Sequence, residues 1–291
     1  MTIAVYGKKI DAEFAEATRN LFAALEKYGV KVIVYLPLLD YIKANLPYIP
    51  RFSGTFKTSD DLKDTDVMIS LGGDGTFLDS IVLVQAMEIP IMGINLGRLG
   101  FLASTSIPEI DNSIDLLMAS RYTIEKRSML QLLSSTNLFD PFPFALNDMV
   151  VRNSLLGLLH VNTFIDGNYL STYWADGLII ATPTGSTAYS LSVGGPILTP
   201  NLSAFVLSAI APHHLTVRPL VIPDNSLIEL EVAGRDGELI ISLDSRNIRV
   251  PQPVKLALKK APFQANVICL EGTTFYRTIR SRLLWGLDKR N

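Results

Sequence analysis

The chain has 291 residues, a formal charge of −2 and 48% hydrophobic side chains. That length accommodates one large domain or two ordinary ones with a sizeable core. The near balance of charge excludes a protein held to nucleic acid or to an anionic membrane surface by bulk charge. Cys269 is the single cysteine, so an internal disulfide and a cysteine-cluster metal site are excluded, which fits a reducing cytoplasm. No apolar run approaches the ~20 residues of a membrane span, and the start reads as a strand rather than a targeting signal.

In chain order, Ile3 to Tyr6 predicts the first strand. Asp11 can cap a helix whose apolar face is Phe14, Ala17, Thr18, Leu21, Phe22 and Leu25, closed by Gly29. Val30 to Leu36 predicts the second strand, and the poorly periodic stretch from Pro37 to about Ser59 a mobile flap or connector. Asp66 to Leu71 is a short apolar run of buried-strand length, and Phe77, Leu78, Ile81, Val82 and Val84 recur with near-helical spacing. Between them, Gly72-Gly73-Asp74-Gly75-Thr76 falls where a strand hands over to a helix. Glycines there let a ligand approach the backbone, and helix N-terminal amides attract phosphate. Asp74 repels phosphate, so it either holds a metal ion, accepts a proton from an attacking hydroxyl, or is a solvated turn residue. Ile89 to Ile94 predicts the next strand, followed by a second glycine-rich loop in which Arg98 is a phosphate partner or a solvated arginine. Strands alternating with helices imply parallel β-α-β units with ligands at the carboxyl ends of the strands. Thr105 or Ser106, followed by Pro108, opens a helix with Ile110, Ile114 and Leu117 on its face, and the pattern changes near Arg121.

Beyond that point strand signals dominate. Thr163 to Leu170 reads as a hairpin around Asp166-Gly167, and a second hairpin is expected around Arg235-Asp236-Gly237, joining Ile228–Val232 to Leu239–Leu243. Val254, Leu256 and Leu258 alternate with lysines as in a half-buried strand. In the tail, Phe275, Ile279 and Leu283 mark a surface helix packed by its apolar side. Two stretches are not explained by folding alone. Asn147-Asp148 interrupts apolar residues with groups suited to sugar hydroxyls, or marks a strand edge or an Asx-turn. Thr182 to Ser192 is a loop of small hydroxyl residues and glycine with one tyrosine, Tyr189, able to accept a flat heterocycle. Ser186 lacks the setting of a hydrolase nucleophile. His160, His213 and His214 show no metal-ligand spacing; His213, before the Arg218-Pro219 turn, has the best claim to a ligand.

Taken together, Gly72 to Thr76, Gly93 to Leu102, Leu146-Asn147-Asp148 and Asp176-Gly177 through Thr182 to Ser190 resemble the bacterial NAD kinases, over nearly the whole chain. Pro212-His213, Asp244-Ser245 and Leu283 to Gly286 share the likeness. The resemblance implies an α/β Rossmann-like N-terminal domain over residues 1–120, onto which the tail 275–291 packs back, plus a β-rich C-terminal NAD-binding domain over 121–274. It implies that Asp74 deprotonates or orients the 2′-hydroxyl of the adenosine ribose, that Gly72, Gly73, Gly75 and Thr76 hold the phosphate donor (ATP or polyphosphate), and that Mg²⁺ assists. NAD contacts fall to Asp74, Gly75, Asn147, Asp148, Thr187, Ala188, Tyr189, Ser190, Leu191 and Ser192, with Asp176 completing the nicotinamide end from a neighbouring subunit of a homo-oligomer, a dimer or tetramer. No protein ligand for the metal is assigned, and neither nucleic acid nor membrane is an expected partner. Three positions depart from the family pattern: Asp148 where glutamate is common, Trp174 where arginine is, and Arg246 where glutamine is. The alternatives are a lipid kinase of the diacylglycerol and sphingosine kinase superfamily and a non-catalytic NAD(P)-binding sensor. The near-neutral charge and hydroxyl-rich loop count against the first, and the intact Gly-Gly-Asp-Gly against the second.

Overall fold

A computed structural model describes residues 1–97, 100–155, 157–234 and 237–286. Arg98, Arg235 and Asp236 of the second expected hairpin, and the tail beyond 286 lie outside the described residues. The chain forms two compact units, Met1–Lys126 with the segment from Asn266 onward, and Arg127–Ala265.

The first unit runs β1 (Thr2–Gly7), α1 (Ala15–Lys27), β2 (Lys31–Tyr35), α2 (Leu36–Asn45), β3 (Gly54–Phe56), β4 (Val67–Leu71), α3 (Asp74–Val84), β5 (Ile91–Ile94), α4 (Ile110–Met118) and β6 (Tyr122–Arg127). β1 pairs in parallel with both β2 and β4, and β4 in parallel with β5. All five residues of β4 are buried, so its sequence is a continuous apolar run and not an alternating one. The stretch after Pro37 is not a flap: Pro37 occupies the first turn of α2, where a missing N–H costs nothing, and Leu38, Leu39 and Ile42 are buried. Ser106 and Glu109 form a capping box ahead of α4, whose Ile110, Ile114 and Leu117 are buried as their spacing predicts.

The second unit contains β7 (Leu130–Leu133), β8 (Phe144–Ala145), β9 (Asp148–Asn153), β10 (Leu159–Ile165), β11 (Asn168–Ala175), β12 (Gly177–Ala181), the short α5 (Tyr189–Ser192), β13 (Ala204–Ile210), β14 (Leu220–Pro223), β15 (Ile228–Gly234), β16 (Glu238–Leu243), β17 (Arg246–Pro251) and β18 (Val254–Lys260). They make two six-stranded sheets, ordered β11-β10-β15-β18-β7-β8 and β14-β13-β12-β9-β16-β17. Leu230, Leu256 and Val161 of the first meet Val151, Ile180 and Ile241 of the second in one core. Val150, Ile179, Ala181 and Val206 on the other face of the second sheet pack with Leu198, so its central strands β9, β12 and β13 are buried on both sides. The Asp166-Gly167 hairpin forms, with positive φ at both residues. The second expected hairpin does not. β15 pairs with β10 and β18, whereas β16 pairs with β9 and β17, so the chain crosses between sheets there. Two β-rich segments flanking Asp-Gly look alike in sequence whether they pair or part.

The chain then returns through β19 (Ala265–Leu270), which lies between β5 and β6 in the first sheet, and α6 (Phe275–Leu283). The first unit therefore resumes at Asn266, not at 275, and its earlier part runs to Lys126, past the expected change near Arg121. Phe275, Ile279 and Leu283 of α6 are half-buried, and no α6 side chain is fully buried. No helix among the described residues is long and apolar enough to cross a membrane. Because β19 fills an interior position of the first sheet, Ile268→Ala, at a side chain 4% exposed, should cost about 2–4 kcal/mol, whereas exposed Lys259→Ala should change stability by under about 0.5 kcal/mol. Denaturant midpoints of the two variants check this.

Candidate functional site

In the first unit the site is built where β4 hands over to α3. The Gly72 N–H bonds the Ile94 carbonyl at 2.9 Å, and Gly73 caps α3 so that Asp74 is its first residue. The Phe77 N–H reaches the Gly73 carbonyl at 3.1 Å, leaving the amides of the first turn directed out of the helix beside exposed Gly73 and Gly75. Half-buried Asp74 is anchored. Its Oδ2 accepts from the Phe101 N–H at 2.8 Å, and its Oδ1 from the Leu102 and Ala103 N–H groups at 3.0 and 2.9 Å. Two carboxylate oxygens carry about four lone-pair positions, so among the described residues these three donors leave Oδ2 one for a further donor. A Cβ on Gly100 would lie 2.0 Å from Asp74 Oδ1 and 2.3 Å from its Cγ. The carboxylate cannot step aside without breaking its bonds to the three amides, so glycine is the residue that fits position 100.

In the second unit β12 runs antiparallel to β9 with Ala181 opposite Asp148, so Asn147 and the Thr182 loop emerge at the same sheet end. The Thr182 N–H bonds the Asn147 carbonyl at 2.8 Å, and its hydroxyl donates to the Leu146 carbonyl at 2.5 Å while accepting from the Gly185 N–H at 3.1 Å. A Cβ on Gly185 would meet the Asn147 carbonyl oxygen at 2.0 Å. Beneath this pair lies Asp244, in the turn between β16 and β17. Its carboxylate accepts from the N–H groups of Leu146, Asn147 and Asp148 at 2.9, 2.7 and 3.2 Å, and its own N–H bonds the Asp148 carbonyl at 3.0 Å. Burial, and then the neighbouring Asp244 charge, push the Asp148 carboxyl up to about 7. Burial also raises Asp244, against the three backbone donors and the Arg246 charge. The Arg246 guanidinium donates to the carbonyls of Phe142 and Phe144 and lies over the Phe139 and Phe142 rings.

Within the second unit, then, Asn147, Asp148 and the start of the Thr182 loop come together. Thr187, Ala188 and Leu191 are half-buried, and Tyr189 and Ser192 exposed. The Ser190 hydroxyl instead turns inward, 3.1 Å from that of Ser208. Exposed Asp176 is not part of this group: it precedes Gly177, at the opposite end of β12, roughly 16 Å away at 3.3 Å per residue. Trp174 stacks on His160, ring centroids 3.9 Å apart, and its carbonyl accepts the N–H of exposed His213. No group of three His, Cys, Asp or Glu able to hold a metal ion occurs among the described residues. Sequence reasoning included Gly100, Thr182 and Asp244 in the stretches it singled out but gave none of the three a role in the site. Asp244 carries one available signal, an Asp-Ser pair in a strand-to-strand turn, where its φ is +53°.

A parallel sheet with a glycine turn and one anchored carboxylate, in a chain that also carries a hydroxyl-lined loop on a β-sandwich, is equipment for phosphoryl transfer to an alcohol. Family comparison narrows the class. The ATP-NAD kinase N-terminal domain matches residues 3–122 and the ATP-NAD kinase C-terminal domain residues 146–270. NAD kinases of Cytophaga hutchinsonii and Flavobacterium psychrophilum are 39% and 42% identical to the chain, with each chain covered in full. The fold is that of yeast NADH kinase, solved with NADH (TM-score 0.86, 24% identity, 99% of this chain and 88% of that one). It is also that of an Archaeoglobus fulgidus NAD kinase solved with ATP (TM-score 0.76, 24% identity, 98% and 99% covered). The chain belongs to the NAD kinase family, phosphotransferases with an alcohol acceptor.

A carboxyl raised from its ordinary value to about 7 gives the native state more bound protons than the unfolded chain between about pH 4 and pH 7, so stability falls as pH rises through that window. Asp148→Asn should flatten this slope and stabilise the protein at pH 8 by roughly 1–3 kcal/mol. Urea midpoints at pH 5 and pH 8 measure it; parallel pH profiles for both proteins would contradict it.

Proposed function

We propose that the chain transfers the terminal phosphoryl group of ATP, or of inorganic polyphosphate, to the 2′-hydroxyl of the adenosine ribose of NAD, giving NADP. The observation that carries this reading is the clasped Asp74 carboxylate, with one lone-pair position still open on Oδ2. In-line phosphoryl transfer asks the protein for position and charge stabilisation more than for covalent chemistry. An alcohol is a weak nucleophile near pH 7, and a carboxylate that accepts its proton contributes about 10²–10⁴-fold. Asp74 takes the 2′-hydroxyl proton on Oδ2 as the oxygen attacks. The first-turn amides of α3, with Gly72, Gly73, Gly75 and Thr76, receive the donor's phosphates. Mg²⁺ takes only one or two carboxylates beside phosphate oxygens and water, and a site with a lone carboxylate and no acidic cluster among the described residues fits an ion carried in with the donor. Such an ion neutralises charge on the transferring phosphate.

Asn147 and Asp148 hold the ribose, since a carboxyl titrating about 7 both donates to and accepts from a hydroxyl near neutral pH. Thr187, Ala188, Leu191, Ser192 and the exposed Tyr189 ring take the adenine, and Ser190 supports that loop from within through Ser208. The family resemblance assigns Asp176 to the nicotinamide end of a neighbouring subunit's coenzyme in a homo-oligomer, and its place at the far end of β12 leaves it free of the Asn147 group. The coenzyme pools of the cytoplasm are its setting.

Purified protein with NAD, ATP and Mg²⁺ should yield NADP, read by an NADP-specific dehydrogenase. Asp74→Asn should lower kcat by about 10²-fold or more while NAD still binds within a few-fold of its usual affinity. Normal turnover in that variant removes Asp74 from its role. Gly100→Ala, which drives a methyl group into the same carboxylate, should lose about as much activity with the fold retained by circular dichroism.

A further inference from the structure

The C-terminal helix carries three arginines, and they are not equivalent. The Arg282 Nε donates to the Gly100 carbonyl at 2.9 Å, across 182 positions of sequence. Arg277 turns back to the Gly272 carbonyl at 3.1 Å, just before its own helix. The Gly100 carbonyl belongs to the same rigid planar unit as the Phe101 N–H. That N–H is one of the three that hold Asp74. Arg282 and Asp74 therefore grip opposite ends of one peptide, and rotating that plane breaks both bonds at once.

We propose that Arg282 is a positioning residue for Asp74, acting through the Gly100–Phe101 peptide; this rests on the phosphoryl-transfer reading of Asp74 given above. A cationic donor on a carbonyl polarises the amide and strengthens its N–H as a donor on the far side. Arg282 thus sets both the orientation and the strength of the Phe101 bond to Oδ2, the oxygen that keeps the open lone pair. Core packing does not account for Arg282, since α6 buries no side chain fully. Nor is it wedged in place, because a polar cavity of about 370 Å³ lined by Arg277, Arg282, Glu109 and Ser281 opens beside it. The bond to Gly100 is what directs it. Burial disfavours the Arg282 charge, while the Asp74 and then the Glu109 carboxylates support it. The charge-bearing end of the C-terminal helix thereby becomes part of the reaction's geometry.

Arg282→Met and Arg282→Lys in the full-length protein test this, with Arg277→Met as a control from the same helix. Hydrogen exchange should quicken about tenfold at Phe101, Leu102 and Ala103 in Arg282→Met, with β4 unchanged and thermal unfolding within about 2 °C of the parent. In the same variant kcat should fall about tenfold with KM for NAD and for ATP within about threefold, a pattern that a merely structural loss does not give. The lysine, whose ammonium reaches the same carbonyl, should recover part of both effects, and Arg277→Met should show neither. Unchanged exchange at Phe101 to Ala103 overturns the proposal. So does normal kcat, or a rise in KM alone. If the parent protein makes no NADP, the phosphoryl-transfer reading fails, and the exchange measurement still decides whether Arg282 orders the loop.

Discussion

One contact governs the candidate site of the first unit: a carboxylate at the start of a helix, closed on three successive backbone amides of a different loop. Asp74 is fixed by the fold of α3, and Phe101, Leu102 and Ala103 by the strand that precedes them, so the bonds tie the glycine turn after β4 to the loop after β5. An isolated carboxylate on a helix N-terminus would rotate among several rotamers. With three donors on it, one oxygen position is left to a ligand, and its direction is set before the ligand arrives. That preorganisation separates a clasped carboxylate from one left to solvent in a turn.

The second unit repeats the device with a different purpose. Asp244 also accepts three consecutive amides, those of Leu146, Asn147 and Asp148, and like Asp74 it is half-buried. Its charge acts on Asp148 and helps raise that carboxyl to about 7. Asp74 is a clasped carboxylate that faces outward, and Asp244 one that works through its neighbour. Glycine marks both places, because the chain passes too close for any Cβ at Gly100 over Asp74 and at Gly185 over Asn147.

Much of this was legible from residue order. The apolar spacing in α1, α3 and α4 and the turn chemistry at Asp166-Gly167 are local signals, and they predict elements that form. The glycine turn, the Asn147-Asp148 pair and the Thr182 loop stand out because each breaks the pattern that folding alone would favour. What stayed hidden was long-range. Nothing in Ala265–Leu270 says that it returns to the first sheet, and nothing in β15 and β16 says that they part into separate sheets. The partners of Asp74 lie 27 to 29 positions away, those of Asp244 almost a hundred, and the link from Arg282 to Gly100 spans most of the chain. Pattern reading finds the residue that carries the charge; only the fold shows what holds it still.

The most direct test of the account is a crystal structure of the protein soaked with NAD, from which the distance between Asp74 Oδ2 and the ribose 2′-oxygen is read. A separation of about 2.6–3.2 Å, with the bonds from Phe101, Leu102 and Ala103 retained, is the predicted result. A 2′-oxygen held by other groups, more than about 5 Å from a carboxylate still closed on its three amides, would contradict it.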